Sequence, residues 1–512
     1  MSKEVLRGHE ARLRIKAGVD KAADAVRVTL GPVGMTALIE FPGLDPVQCD
    51  DGVTILKNLD FKDKYENMGV QMLRKGALRT SNEGGDGTAT TTVLTQALIA
   101  EAFKEIANDS SKIREVSERL RQGLVETLGE LTKLKRDVHE DDIERIAAIS
   151  SLDPEVAKLI AEIIKEVGVN GVVTVEKGSK LGYTKEVVKG ARFERGLISP
   201  YFINDHDNKQ TVLEDPYIVL IDRKVSTNEQ VLSLLNSIGT GKDILFIADD
   251  VDSVALGTLA QNAVNKIANI ACVRNPYSAS RARDFLFDLA ALTGATVISE
   301  EMGMKLDEQT VAVCGRAEKV IITRDTTTII GGKSGDALES RVTAIQSEIE
   351  GSVSEYEKKT LEDRLAQLTG GIGVIRVGAY TDTEFNAKKY KFENAINATQ
   401  AALQEGILPG GGIALGNISF KVGEKMFRKS LIAPFNQMAL NAGMDEASLD
   451  EEDEQGIGYD FKEKRHTVDM FAAGIIDPFK VTRIALESAT AIALSLISIE
   501  TVIITEETDV KE

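Results

Sequence analysis

Tryptophan is missing altogether from the 512 residues, and aromatic residues make up only 5% of them. Sugar or base platforms made of stacked rings are therefore poorly supported. Cysteine is scarce: Cys49, Cys272 and Cys314 are odd in number, widely spaced and in no metal-ligand pattern. They read as buried free thiols in a reducing cytoplasm. Four scattered histidines, His9, His139, His206 and His466, argue against a zinc site. No apolar run reaches the roughly 18 residues of a membrane span, and Met1-Ser2-Lys3-Glu4 begins no signal peptide. The expected location is the cytoplasm, with no membrane partner. Cationic residues are outnumbered, 61 Lys and Arg against 80 Asp and Glu. The net charge of −19 excludes nucleic acid as an expected partner. The acidic runs Glu140-Asp141-Asp142, Asp249-Asp250 and Glu451-Glu452-Asp453-Glu454 read as solvated faces.

What is present is length and two textures. A chain of this size is too long for one core and suggests about three domains. Residues 10–131, 395–417 and 481–500 are rich in Ala, Leu and Val at helical spacing. The middle instead alternates short apolar strands (217–221, 244–248, 270–273, 295–298) with helical segments (228–237, 254–267, 282–292). Such alternation predicts a buried, largely parallel sheet. Residues 336–368 then read as a long helical hairpin broken near Gly351-Ser352. An α/β unit inserted between two matching helical ends implies that the ends pack together. Gly190 on one side and Gly370-Gly371 on the other flank the insertion. They suit a hinge, and they suit plain turns equally well.

The run Gly84-Gly85-Asp86-Gly87-Thr88-Ala89-Thr90-Thr91-Thr92 carries the most chemistry. Glycines let the backbone turn tightly beside a ligand, and the helix that follows offers free amides to an anion such as phosphate. Asp86 in the turn is placed to hold the Mg²⁺ that accompanies a nucleotide. A Thr-rich helix cap on an ordinary turn is the plainer alternative. Neither this run nor Gly331-Gly332-Lys333-Ser334 is a Walker A loop, because the residue five places before Gly332 is Thr327.

The run has company. Thr29-Leu30-Gly31-Pro32, Asp51-Gly52-Val53-Thr54, Gly410-Gly411-Gly412 and Asp477-Pro478 occur with it in order. So do Leu197–Asn204, Val297–Glu301 and Asp325–Ile330. Together they resemble the GroEL-type group I chaperonins over essentially the whole chain. The resemblance implies a multi-domain α and α/β fold. A helical equatorial domain (1–131 and 405–512) and a small intermediate domain (132–189 and 373–404) would carry an inserted α/β apical domain (190–372). It implies ATP-dependent folding of non-native polypeptides in a chamber built from seven-membered homo-oligomeric rings, single or double, with a lid co-chaperonin as a further partner. It implies ATP with Mg²⁺, and K⁺ as a further cation. Nucleotide would lie among Thr29, Leu30, Gly31, Pro32, Asp86, Gly87, Thr88, Ala89, Thr90, Gly411 and Asp477, with Asp86 on the metal. The resemblance also favours the hinge reading of Gly190, Gly370 and Gly371.

Departures from the family pattern cluster at the chemical end of that site. The family's Lys-Asp-Gly is Asp50-Asp51-Gly52 here, and a threonine of the glycine run is Ala89. Asn394 stands where the family has the Asp that orients the attacking water. Asparagine can hydrogen-bond water but cannot take its proton, so slow hydrolysis is expected, with Asp51 or Glu393 compensating in part. By the same resemblance Leu197, Tyr201, Phe202, Leu232, Leu235 and Leu256 form the polypeptide-binding face, with Ala260 and Gln261 replacing two further apolar positions. Leucines at helical spacing are more often core, but Val231, Leu232, Leu234 and Leu235 make too broad a stripe for one buried face. The family's ring-to-ring Arg–Glu pair matches Asn436 and Asp445, Ala447 and Ser448 also differ, residues 419–432 are shortened, and Asp509–Glu512 replaces a Gly-Gly-Met tail. A weakened or absent second ring is one expectation. A holdase that hardly cycles is the runner-up function. A small-molecule kinase has only the phosphate-binding run in its favour.

Overall fold

The structure, a computed structural model, describes residues 3–40, 46–107, 109–151, 153–168, 171–178, 181–206, 208–352, 354–444, 458–467 and 469–505. Asp445, Ala447, Ser448, the acidic run 451–454 and Asp509–Glu512 lie outside the described residues. Two compact units make up the chain: Met1–Ala161 with Asn386–Glu512, and Glu162–Phe385. The expected pairing of the helical ends is thus observed. The segments expected to form an intermediate domain are shared between the two units.

The discontinuous unit is a helical bundle. Helices Gly8–Val26 and Lys64–Gly84 cross at backbone contact, since a Cβ on Gly18 would sit 1.9 Å from Glu66 O and one on Gly69 2.1 Å from Ile15 O. Helices Thr88–Ile106 and Phe479–Ile497 run through the centre. The second is buried nearly all round (Ile484, Leu486, Ala489, Ala493 and Leu496 among others), which explains its apolar texture. Arg12, 1% exposed, is held by three hydrogen bonds: it donates to Ile499 O (3.0 Å), Glu500 Oε2 (2.9 Å) and Ser110 Oγ (2.9 Å). Strand Lys3–Arg7 pairs antiparallel with Thr501–Thr505. A second two-stranded sheet joins Ala37–Ile39 to Val47–Cys49.

Among the described residues the continuous unit contains three sheets. The first has the order Asn269–Arg274, Asp243–Val251, Tyr217–Val225, Gly315–Arg316; the first three strands are parallel and the last antiparallel. Helices Asn228–Ile238 and Ser253–Val264 make its crossovers. A four-stranded sheet of Gly190–Phe193, Thr327–Ile330, Lys319–Ile322 and Thr211–Glu214 is wholly antiparallel. Val172–Lys177, Ile372–Val377 and Tyr183–Val188 form the third. Parallel pairing is therefore narrower than the alternation predicts. Residues 295–298 add only a single bridge, Ile298 to Ile221 in the middle of strand Tyr217–Val225, beyond the Tyr217–Ile218 stretch that pairs with Gly315–Arg316.

The helical hairpin is present as Ala337–Gly351 and Glu355–Thr369, broken where expected. Asp288 staples its two arms to the sheet unit, accepting from Arg341 Nε (2.7 Å) and Arg364 Nε (2.9 Å). Of the three thiols only Cys272 is buried; Cys49 and Cys314 are half-buried. Among the described residues no helix is long and apolar enough to cross a membrane.

Candidate nucleotide site

The glycine run is a turn clamped between two helices. Gly85 (φ 81°) ends helix 64–84 and Gly87 (φ 89°) begins helix 88–106, both left-handed. A Cβ on Gly85 would lie 2.2 Å from Asn397 Cβ, and one on Gly87 2.5 Å from Val481 Cγ1. Only glycine satisfies both the dihedral and the clearance. The helix that follows has no side-chain cap. Among the described residues the N–H groups of Thr88, Ala89 and Thr90 and the hydroxyls of Thr88 and Thr90 have no partner. Thr91 and Thr92 do not share this freedom: their hydroxyls donate to Gly87 O (3.0 Å) and Thr88 O (2.8 Å). An uncapped helix start carrying two unused hydroxyls is a receptor for an anion. Ala89 turns its methyl into the apolar clusters, so it contributes its amide alone.

Carboxylates converge on the same turn. Asp86 is open to solvent yet ringed by protein, as a group on the floor of a recess would be. Burial and then the Asp51 charge raise its pKa above the ordinary carboxylate range, against the pull of Gly87 N–H, which donates to it at 2.6 Å. Asp477 is pushed up to about 7, first by burial and then by Asp86, although the amides of Gly412 and Gly411 donate to it. Asp51 caps the short helix Gly52–Lys57, accepting from Thr54 N (2.8 Å) and Thr54 Oγ1 (2.6 Å). No lysine or arginine among the described residues offsets the charge on Asp86 or Asp477.

This donor set fits Mg²⁺ that arrives with a phosphate. Magnesium is commonly held by one or two carboxylates plus phosphate oxygens, and no group of three His, Cys, Asp or Glu able to hold an ion alone occurs among the described residues. Asp86 would be the ligand, and the bound ion would neutralise phosphate charge.

The remaining expected residues are distributed as follows. Gly31 has φ 92° and an N–H without a partner among the described residues; Pro32 is exposed. Thr29 spends its hydroxyl on Val26 O (2.9 Å), and Leu30, 8% exposed, is core, so neither side chain faces a ligand. Gly411 needs its positive φ of 69° more than its space, since the nearest atom to an added Cβ is 3.4 Å away. Asn394 is half-buried on helix Asp382–Glu405, three residues before Asn397 and hence on the face that presses on Gly85. Its amide has no partner among the described residues. Glu393 points elsewhere around the helix, 3.7 Å from Lys389, with its pKa raised by burial. One contributor was not anticipated. The hairpin Gly458–Asp460 with Arg465–Thr467 brings Tyr459 O to 3.8 Å from a Gly411 Cβ position, anchored by buried Phe461. Nothing but a lone Gly-Tyr pair after the acidic run signals it in sequence.

On the continuous unit, Tyr201 (68%) and Leu232 (39%) are exposed, and Leu197, Leu235 and Leu256 are half-buried. Phe202 is a correction: at 2% exposed its ring turns inward from the Pro200–Phe202 turn to join Val219, Phe246 and Leu306 in the core. Val231 and Leu234 are buried, which accounts for the breadth of the stripe. Val254 and Val264 on helix 253–264 are exposed and had been overlooked. Gly190, Gly370 and Gly371 sit in crowded surroundings: none has positive φ, and added Cβ atoms would meet Ile329 O at 2.4 Å, Ala366 O at 2.6 Å and Val187 Cγ1 at 2.4 Å. Lys333 of the glycine decoy pairs with Asp215 (3.1 Å), as befits a turn.

A chain with a discontinuous helical unit, an inserted α/β unit and this phosphate-receptive turn has the makings of a chaperonin. The model of the TCP-1/cpn60 chaperonin family matches residues 22–507, and the chain belongs to that family, as a divergent member of the GroEL type. Among solved structures it is similar to the chaperonin gp146 from the bacteriophage EL 2 (Pseudomonas aeruginosa), crystallised in presence of ATP-BeFx. One crystal form superposes with a TM-score of 0.73 at 20% identity, and another with 0.66 at 21%. Each comparison covers 98% of this chain and 99% of that one.

Proposed function

We propose that this chaperonin binds Mg-ATP in the cleft between the glycine turns, hydrolyses it slowly, and uses the cycle to capture and release non-native polypeptide within a homo-oligomeric ring. The observation that carries the nucleotide reading is the meeting of Asp86, Asp477 and Asp51 beside an uncapped helix start with unused hydroxyls. The gp146 crystals obtained with ATP-BeFx support it. Ring assembly is supported by two short sheets left open at their edges. Val5 and Ile503, directly opposed, are 48% and 56% exposed, and Leu38 is 67% exposed. A seven-membered ring and a lid partner rest on the resemblance. Polypeptide capture is supported by the exposed Tyr201, Leu232, Val254 and Val264 around two helices that carry a single charged residue, Glu229.

A slow cycle follows from what each group has to offer. Asn394 orients a water but accepts no proton. The carboxylate of Asp51 is engaged by Thr54, which restrains it as a base. Catalysis of phosphoryl transfer leans on positioning and electrostatics, so the cleft retains the larger share of what it needs. The same two observations favour a second reading, a holdase that binds nucleotide and unfolded chains with negligible turnover. Steady-state ATP hydrolysis measured on a sample also imaged by electron microscopy separates the readings. Rings with slow turnover are expected. Rings without turnover would favour the holdase, and monomers at micromolar concentration would remove the chamber.

A further inference from the structure

Helix Ala433–Asn441 lies behind the two glycine turns, and one of its faces touches both. Met438, 6% exposed, is the shared contact: a Cβ on Gly31 would sit 2.7 Å from its Cγ, and one on Gly412 2.7 Å from its Cε. One turn of helix further on, Asn441 Nδ2 donates to Leu30 O (2.8 Å) and Arg27 O (2.9 Å). Both of its N–H groups are thus spent on the backbone of the Leu30–Gly31 turn. Its Oδ1 accepts from Gln437 Nε2 at 2.8 Å, and Gln437 is itself buried. The two carbonyls set which way the amide faces, because a flipped amide would turn its oxygen against both, and the third bond holds it there. The carbonyls of this turn are held from behind, while the N–H of Gly31 has no partner among the described residues.

We propose that Asn441 is a positioning residue for the nucleotide, locking the Leu30–Gly31 turn against the 410–412 turn so that the two present their backbone at one fixed separation. This rests on the nucleotide reading of the cleft. Asn441 acts through backbone it never shares with the ligand, and the separation of 411 residues between it and Leu30 makes the contact invisible to local sequence reasoning. Removing the amide leaves both turns intact in composition but free to shift relative to each other.

The test is the dissociation constant of Mg-ADP, read by calorimetry on the full-length assembly well below its unfolding temperature. Asn441→Leu, which keeps the volume and deletes the amide, is expected to weaken binding about tenfold, the effect of one to two lost buried hydrogen bonds. Asn441→Asp keeps the acceptor for Gln437 but turns an oxygen toward two carbonyls, and is expected to weaken binding at least as far. Leu120→Ala, a core change in helix Ile113–Leu134 remote from the turns, lowers the unfolding temperature while leaving the constant within twofold. A folded Asn441→Leu that binds Mg-ADP within twofold of the parent overturns the inference and leaves the nucleotide site standing. A parent protein that binds no Mg-ADP removes the site, and the inference with it. Should Asn441→Leu fail to fold, Gln437→Leu decides: release of the amide's orientation is expected to weaken binding two- to threefold, and unchanged affinity overturns the proposal.

Discussion

The cleft of the discontinuous unit and the helical face of the continuous unit present their groups in opposite ways. In the candidate nucleotide site the backbone turns at Gly31, Gly85, Gly87, Gly411 and Gly412 have positive φ and are backed by buried side chains such as Val481 and Met438. On helices 228–238 and 253–264 the exposed groups stand on regular backbone and touch little around them. Crowded turns fix geometry and tolerate no substitution. A regular face tolerates substitution and recognises by apolar area. On the function proposed above, the site that needs atomic placement occupies the crowded turns, and the one that receives different chains occupies the plain surface.

That contrast breaks first at Asp86. Asp86→Ala is expected to lower Mg-dependent ATP turnover by at least about a hundredfold, the cost of one lost transition-state contact, while rings still form in electron micrographs. An unchanged rate would take Asp86 out of the chemistry. Asn394→Asp works in the other direction: restoring a carboxylate on the face of helix 382–405 that presses on Gly85 should raise turnover by about tenfold or more. A fast parent protein unaffected by Asn394→Asp would shift attention to Asp51, and Asp51→Asn would then be the decisive variant.

Asp477 adds a pH dependence. Its folded pKa of about 7 lies above the unfolded value, so the folded state holds the extra proton between the two. Stability of the nucleotide-free protein should therefore fall as pH rises from about 4 to about 7 and level off above that. Asp477→Asn should flatten the slope and raise the unfolding temperature at pH 8, by up to a few kcal/mol in stability. A slope that survives the substitution would assign it to another group. The smallest effect belongs to the plain face. Leu232→Ser with Val254→Ser should weaken capture of an unfolded model protein severalfold without lowering the unfolding temperature, since both side chains are exposed. Loss of folding would show that the face is core.

The cleft was the more legible of the two in sequence, for a physical reason. Gly87 and Gly411 are residue types that their positive φ demands, so their identity carries their geometry. Asn441 and Met438 escaped notice because many residue types pack behind a turn, and only contact across hundreds of residues reveals the choice. On helices 228–238 and 253–264 the period of 3.6 marks a stripe but not its sign. Phe202 was placed on the surface and proved to be core, whereas Val254 and Val264, not among the expected face residues, are exposed. The strand–helix alternation similarly named the parallel strands 217–225, 243–251 and 269–274 but could not show that the neighbouring sheet is antiparallel, because both kinds of strand are apolar runs when both faces are covered.

The short ladder that sets Leu408 opposite Asp477 also has a bearing on the birth of the molecule. Asp86 and Asp477 are 391 positions apart (477 − 86), an interval that takes roughly 20–80 s to synthesise at about 5–20 residues per second. During that time the turn around Asp86 exists without the strand that completes it, while the whole inserted unit can finish folding on its own. On the nucleotide reading proposed above, the ligand cannot template the folding of the nascent chain, because Asp477 is made last. On the nucleotide reading, a ligand held by both Asp86 and Asp477 is bound by finished subunits alone.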